Sequence, residues 1–357
     1  MNRTRVGLVG CGTIANIMHL PGVEAMREWG MVELVAVCDA VLEKARDAAL
    51  RFDAHRHYGD LEAMLANESF DLLINNTPIP QHFPVTMAAL KAGRHVYTQK
   101  PMSITVDEAT TLIETARVQK RMLAVAPEHP VRPQVRAIRR AIDAGAIGKI
   151  TFARVVSSHN GPETHDVPRD STWFYKTGSS PILDLGVHGL STITAILGPV
   201  RAVSCFSGRS RDVRVTTAGS FRGREIGVEI DDNSLLSLDF GEARFAFMDS
   251  TYCMPATLAP HLEIFGTEGT LAVVGVPGAG PLTSLHHFRS DTKEWREVPV
   301  PPAPPLRDLG VHHMVGCLRE GTPLELTGER GRHLVEVMAA ATLAAATGRT
   351  QSIATTF

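Results

Sequence analysis

The stretch VGLVGCGTIA, residues 6–15, is an apolar run that glycines interrupt at Gly7, Gly10 and Gly12. An apolar strand ending in Gly-x-Gly and passing into a helix is the form of a phosphate-cradling turn. The first glycine turns tightly, the second lets backbone approach a pyrophosphate, and a third small residue lets helix and strand pack closely. Gly10, Gly12 and Ala15 stand in those three places, with the unpaired N–H groups of the helix start expected near Thr13 and Ile14. A second apolar run, VELVAVCD (32–39), ends in Asp39, 24 residues after Ala15. That is close to the spacing of about 20 expected for a ribose-binding acid. A carboxylate there accepts bonds from ribose hydroxyls and repels a 2′-phosphate, and no basic residue follows until Lys44. NAD is the expected cofactor, with NADP the alternative.

The same alternation continues outward. RVGLVG, VELVAVCD, DLLINNTP, HVYTQKP and MLAVAP read as buried strands, and HRHYGD as a further short one. Helical patterns lie between them near 14–28, 41–52, 60–67, 82–92 and 105–120. Strand–helix alternation at this spacing predicts an α/β fold with a parallel sheet covered on both faces. After about residue 127 the pattern changes to hairpin-spaced strands such as AVSCFSG, NSLLSLDFG, ARFAFMDSTY, HLEIFG and GTLAVVG. These predict a second domain with a mostly antiparallel sheet. The expected division is 1–126 and 127–357, with proline-rich VPVPPAPPL (298–306) an extended connector inside the second.

Composition narrows the function. The 357 residues carry a net charge of −2, which argues against nucleic-acid or anionic-membrane binding, since both need clustered Lys and Arg. Five scattered cysteines without a C-x-x-C pair suit free thiols in a reducing compartment. With neither a signal pattern nor an apolar run of membrane-spanning length, the expected location is cytoplasmic. The histidine pairs at 286–287 and 312–313 lack a convincing third ligand, so no metal site is expected.

Oxidising an alcohol with a nicotinamide needs a base for the hydroxyl proton and a group that stabilises the developing alkoxide. YTQKP places Lys100 at the end of a predicted strand, where parallel sheets present ligands. SSPILDLGVHGL puts Asp184 and His188 at i and i+4 on one face of a predicted helix. Taken singly, a strand-end lysine is ordinarily a solvated charge and an Asp/His pair a helix-surface contact.

In combination these stretches carry a resemblance. The chain resembles the Gfo/Idh/MocA oxidoreductases over nearly its full length. The matching features are the glycine turn, NTPIPQH (76–82), QKP (99–101), DLGVH (184–188) and EIFGTEGTL (263–271). The resemblance implies an N-terminal Rossmann doubly wound sheet and a C-terminal α/β domain with an open, mostly antiparallel sheet. It implies hydride transfer between NAD(P) and a secondary hydroxyl or ketone of a sugar, inositol or related compound. On it, Lys100 would hydrogen-bond the reacting oxygen, His188 would act as acid/base, and Asp184 would orient substrate. Asn76, Thr77, Pro78, His82, Gln99 and Pro101 would line the cofactor. Two departures matter: Gln99 stands where the family commonly has Glu, and Ser191 where it often has an acid.

The loop HNGPETHDVPRDSTWFYK (159–176) mixes aromatics with polar groups, as sugar sites do. It makes His159, Arg169, Trp173, Tyr175 and Lys176 substrate-binding candidates. The expected partner is a small carbohydrate or polyol. A sheet face left uncovered by helices, together with the resemblance, predicts a homodimer or homotetramer. Two other functions compete: glycoside cleavage assisted by transient oxidation with retained NAD, and a nucleotide-sensing regulator that would need no proton-transfer groups.

Overall fold

The first sheet is built from runs that are apolar at consecutive positions because both of its faces are covered. In this computed structural model, which describes residues 3–167, 170–275, 284–302, 304 and 308–357, its strands are β1 (Thr4–Val9), β2 (Val32–Cys38), β3 (Arg56–Tyr58), β4 (Leu72–Asn75), β5 (His95–Thr98) and β6 (Leu123–Val125). They lie in the order β3-β2-β1-β4-β5-β6, and every pair is parallel. The connecting helices are α1 (Leu20–Glu28), α2 (Leu42–Phe52), α3 (Leu61–Asn67), α4 (Ile79–Lys91) and α5 (Val106–Val118). Asp60 caps α3, and Thr105 with Glu108 forms a capping box on α5, so these helix starts are written in the sequence.

Alternate strand residues feed two cores. Val6, Leu8, Leu72 and Ile74 pack with Leu20 and Val23 of α1, while Val35, Leu73 and Val96 pack with Leu112 and Ile113 of α5. Each such side chain contributes about 1.5–3 kcal/mol by leaving water. The first core is completed from far along the chain: Val311, Met314 and Val315 of a later helix belong to it. The compact unit is accordingly residues 1–131 with 303–335 and 357, and the second is 132–302 with 336–356. The chain thus returns to its first unit, where a single cut after residue 126 was expected.

The second unit begins with α6 (Pro133–Asp143) and β7 (Ile150–Val156), followed by α7 (Val187–Leu197). Its strands continue as β8 (Ala202–Gly208), β9 (Val213–Val215), β10 (Glu225–Gly227), β11 (Asn233–Asp239), β12 (Phe245–Thr251), β13 (Leu262–Gly266), β14 (Gly269–Val274), β15 (Ser284–Arg289), β16 (Glu294–Val298) and β17 (Gln351–Ser352). Nine of them form one sheet, β16-β15-β14-β13-β7-β12-β11-β8-β17, antiparallel except between β7 and β12; β9 and β10 form a separate ribbon. The remaining helices are α8 (Leu309–Glu320) in the first unit and α9 (Gly328–Thr347), within which the division between units falls.

Period-two burial marks the nine-stranded sheet as one-sided. Val203, Leu236, Leu238, Ala246 and Met248 point inward, while Phe206, Leu235, Phe245 and Phe247 are exposed on the other face by 82, 40, 49 and 37%. Behind it sits a buried ionic cluster: the Arg214 guanidinium lies 3.0 Å from Glu163 and 2.7 Å from Asp232, all three essentially without solvent contact. Removing the cation alone strands two buried carboxylates. Arg214→Met should therefore destabilise the protein by about 3–5 kcal/mol. Urea denaturation followed by circular dichroism checks this, and an unchanged midpoint would contradict it.

Candidate active site

The glycine turn is fixed by what surrounds it. Gly10 has φ +87°, and a Cβ there would lie 2.6 Å from the carbonyl carbon and oxygen of Asn76. Only glycine fits on either count. Gly12 is the opposite case, since a Cβ on it would meet nothing within 4 Å. The turn therefore leaves room on its outer side. The helix starts at Thr13, and Ala15 is buried beneath it.

Asp39 directly follows β2 and reaches across to this turn. One carboxylate oxygen accepts from Cys11 N at 2.8 Å and the other from Val41 N at 2.9 Å. The side chain is thus oriented by backbone before any ligand arrives. The Cys11 thiol is held up to about 12 by burial and by the Asp39 charge, so it stays protonated and is no nucleophile.

The next two strand ends supply the remaining cofactor candidates. Asn75 donates to His82 O and Thr86 Oγ1, and its Oδ1 accepts from Thr77 N and Oγ1, so a buried amide shapes the loop that carries Thr77 and Pro78. His82 bridges Pro101 O at 2.5 Å and Thr77 O at 2.7 Å, joining that loop to the segment after Lys100. Burial is the main cause that holds this imidazole below its ordinary value. The Lys100–Pro101 peptide bond is cis. Both polar atoms of the Asn76 amide are buried without a hydrogen-bond partner. Buried amides are rarely left so. Beside a turn with open space at Gly12, this is where a dinucleotide would find donor and acceptor, and the residues present fit one.

Asp184 and His188 do not sit on a regular helix. Residues Ile182–Gly186 form a π-turn that runs into α7 at Val187. The expected i, i+4 alignment therefore crosses a widened turn. The cause is Ser157 at the end of β7: its hydroxyl donates to Leu185 O at 2.6 Å and accepts from Gly189 N at 3.1 Å. These are the two groups an ordinary α-turn would pair directly. Gly189 allows the approach, because a Cβ there would lie 2.5 Å from Met248 Sδ and 2.9 Å from Ser157 Cβ. Tyr252, at the end of β12, donates its hydroxyl to Asp184 Oδ2 at 3.1 Å. Neither Ser157 nor Tyr252 was foreseen. The only sequence sign was the position of Tyr252 at the end of the predicted strand ARFAFMDSTY.

The aromatic loop divides. His159 stacks on Tyr252 with ring centroids 5.4 Å apart, next to the residue that holds Asp184. Tyr175 is fully buried and donates its hydroxyl to Glu163, which joins it to the Arg214 cluster. Lys176 pairs with Glu229 at 2.8 Å, and Trp173 is half exposed against Phe174. Arg169 lies outside the described residues, as do 303, 305 and 306 of the proline-rich connector.

Comparison with known proteins agrees with this architecture. The profile of the oxidoreductase family with an NAD-binding Rossmann fold matches residues 4–127, and that of the GFO/IDH/MocA C-terminal domain matches residues 135–272. The chain belongs to the Gfo/Idh/MocA family of oxidoreductases, and its first unit is that family's NAD-binding Rossmann fold. It is 25% identical to D-apiose dehydrogenase of Paraburkholderia graminis, over 98% of this chain and 90% of that protein. It is 23% identical to the scyllo-inositol 2-dehydrogenase (NADP(+)) IolW of Bacillus subtilis, over 94% and 92%. Levoglucosan dehydrogenase, solved in complex with NADH and L-sorbose, superposes with a TM-score of 0.83 at 20% identity, covering 99% of this chain and all of that one. Its relatives include sugar and polyol dehydrogenases.

The Ser157 bridge can be tested directly. Ser157→Ala should cost about 1–3 kcal/mol, the usual penalty for stranding buried polar groups. Part of that is regained only if Leu185 O and Gly189 N close into a regular turn. Thermal denaturation reads the cost, and a melting temperature equal to wild type would show that the hydroxyl does not hold the junction.

Proposed function

We propose that the protein transfers hydride between NAD and a secondary hydroxyl or ketone of a sugar, inositol or sugar derivative. The observation that carries this reading is the pairing of Asp184 with Tyr252 on a π-turn held open by Ser157, four residues before His188. A nucleotide sensor has no use for a carboxylate and imidazole set on a specially supported turn. Relatives named for apiose, glucoside and inositol oxidation support the substrate class.

In the proposed roles, His188 takes the hydroxyl proton in oxidation and returns it in reduction. Lys100, as a cation, stabilises negative charge on the reacting oxygen, and Asp184 orients the substrate. Bound NAD supplies the hydride acceptor. Gly10, Gly12, Thr13, Ile14 and Ala15 would hold its pyrophosphate, Asp39 a ribose, and Asn76, Thr77, Pro78, His82, Gln99 and Pro101 its nicotinamide half. Asp39 favours NAD over NADP, since its carboxylate would repel a 2′-phosphate. His159 and Trp173 remain candidates for the sugar itself, whereas Tyr175 and Lys176 are better read as scaffold because Glu163 and Glu229 engage them. The exposed face of Phe206, Leu235, Phe245 and Phe247 would be covered by a second copy of the chain, giving a homodimer or homotetramer.

The test is NADH production against a panel of inositols, aldoses, glycosides and sugar acids, repeated with NADP. On the best substrate His188→Ala should lower kcat by roughly 10²–10⁴-fold, the usual worth of a general acid–base group. It should also flatten the acidic limb of the oxidation pH profile while leaving NAD affinity intact. Near-wild-type turnover would remove His188 from the mechanism.

The cofactor assignment has its own check. Gly12→Val should weaken NAD binding at least tenfold in a calorimetric titration by placing a branched side chain where the pyrophosphate approaches. The space around Gly12 means the fold itself tolerates the change. Unchanged affinity in the folded variant would refute the turn's role.

A further inference from the structure

One buried chain of polar groups in the first unit ends on Gln99 and includes two residues, His19 and Asp308, that have no part in the roles above. His19 lies at the end of a second π-turn, Ala15–His19, and is completely buried. Its Nδ1 is 2.6 Å from Asp308 Oδ2, and Asp308 is also completely buried. Its Nε2 is 2.6 Å from the amide nitrogen of Gln99. The other oxygen of Asp308 caps α8 by accepting from Val311 N at 3.0 Å. Two features allow this close assembly. A Cβ on Gly22 would lie 2.6 Å from Asp308 Cβ, and the Tyr97 ring packs edge-on to His19 at 5.8 Å.

The polarity of the chain follows from chemistry. A carboxylate only accepts, so Asp308 requires a proton on Nδ1 of His19. A neutral imidazole then offers a lone pair at Nε2, which only the NH₂ end of Gln99 can satisfy. That turns the amide oxygen of Gln99 toward the backbone N–H of Lys100, 3.4 Å away. We propose that Asp308 and His19 are positioning residues: they set which way the Gln99 amide faces, and through it hold the strand end from which Lys100 projects. Neither is a catalytic residue, since both are sealed from solvent. The effect on turnover rests on the role proposed for Lys100; the direction of the hydrogen bonds does not.

Asp308→Asn inverts the chain without removing the helix cap. The Asn oxygen still accepts from Val311 N, and its NH₂ then faces Nδ1. The His19 proton moves to Nε2, Gln99 must present oxygen there, and its NH₂ is left against the Lys100 N–H, donor to donor. Adding Gln99→Glu repairs this. One carboxylate oxygen accepts from Nε2–H and the other from Lys100 N–H.

The experiment is long-range proton–nitrogen NMR on the full-length protein labelled with ¹⁵N-histidine, with His19 assigned by its shift in Asp308→Asn. The wild type should carry the proton on Nδ1 alone and Asp308→Asn on Nε2. On the best sugar of the panel, Asp308→Asn should lower kcat roughly 10- to 100-fold, as displacements near 1 Å do. Gln99→Glu in the Asp308→Asn background should restore most of the loss, a coupling that mere destabilisation would not produce. Wild-type His19 protonated on Nε2, or on both nitrogens, overturns the proposal whether or not any sugar is turned over. So does wild-type kcat in folded Asp308→Asn, or a folded double variant that is no faster than the single one. Should Asp308→Asn fail to fold, His19 is assigned through Gln99→Glu, and the wild-type tautomer still decides.

Discussion

The backbone of Gly10 presses on the backbone of Asn76 with no room for a side chain between them, and the first unit is organised around that contact. It brings the turn after β1 against the loop after β4. A line of backbone hydrogen bonds extends it one residue beyond each strand: Gly10 N to Cys38 O, Asn76 N to Val9 O, Gln99 N to Asn75 O, and Ala126 N to Thr98 O. The carboxyl ends of five neighbouring strands are thereby laced together. Gly10, Asp39, Asn76 and Gln99 stand on that line because the sheet is parallel, with all its strand ends on one edge. Open α/β sheets bind ligands there, outside the carboxyl ends of the strands. Lys100 follows directly.

Much of this was legible because the information is local. Consecutive apolar residues in LLIN or HVYT, bounded by turn residues and alternating with helical patterns, read as strands covered on both sides, and Gly-x-Gly followed by Ala marks the turn that comes next. Alternation in NSLLSLD likewise announces a sheet with one dry face. What stayed hidden depends on residues far apart in sequence. Helical periodicity locates α8, but nothing in it says that Val311 and Met314 return to the core of Val6 and Leu8. The DLGVH stretch reads as ordinary helix. It is Ser157, 28 residues before Leu185, that opens its turn. Tyr175, attractive as a sugar-binding aromatic in a polar loop, is turned inward by Glu163 and Arg214, and that ionic cluster draws on three separate segments.

The two π-turns share a logic. Each presents a polar side chain at a fixed point: His19 in one unit, Asp184 in the other. A regular α-turn leaves its carbonyls committed to the residue four further on. Widening the turn by one residue releases that commitment. In the first unit it also meets a local need, since Pro21 follows and offers no N–H to a regular ladder. In the second, the released groups are taken up by a serine hydroxyl. Such turns are frequent at functional sites.

The same reasoning gives physical content to the departure at Gln99. An acid at that position would set a second carboxylate against an imidazole that already has Asp308 on its other nitrogen. Two acceptors at the two ring nitrogens are satisfied only by an imidazolium, so His19 would have to carry a charge while completely buried. A neutral amide removes that demand, because it can donate to Nε2 and still offer oxygen to the next backbone N–H. Gln99 and Asp308 are thus linked choices. The negative charge of the chain lies beyond the histidine, anchored as the cap of α8. The residue in contact with the lysine's own backbone is free to act as an oriented dipole.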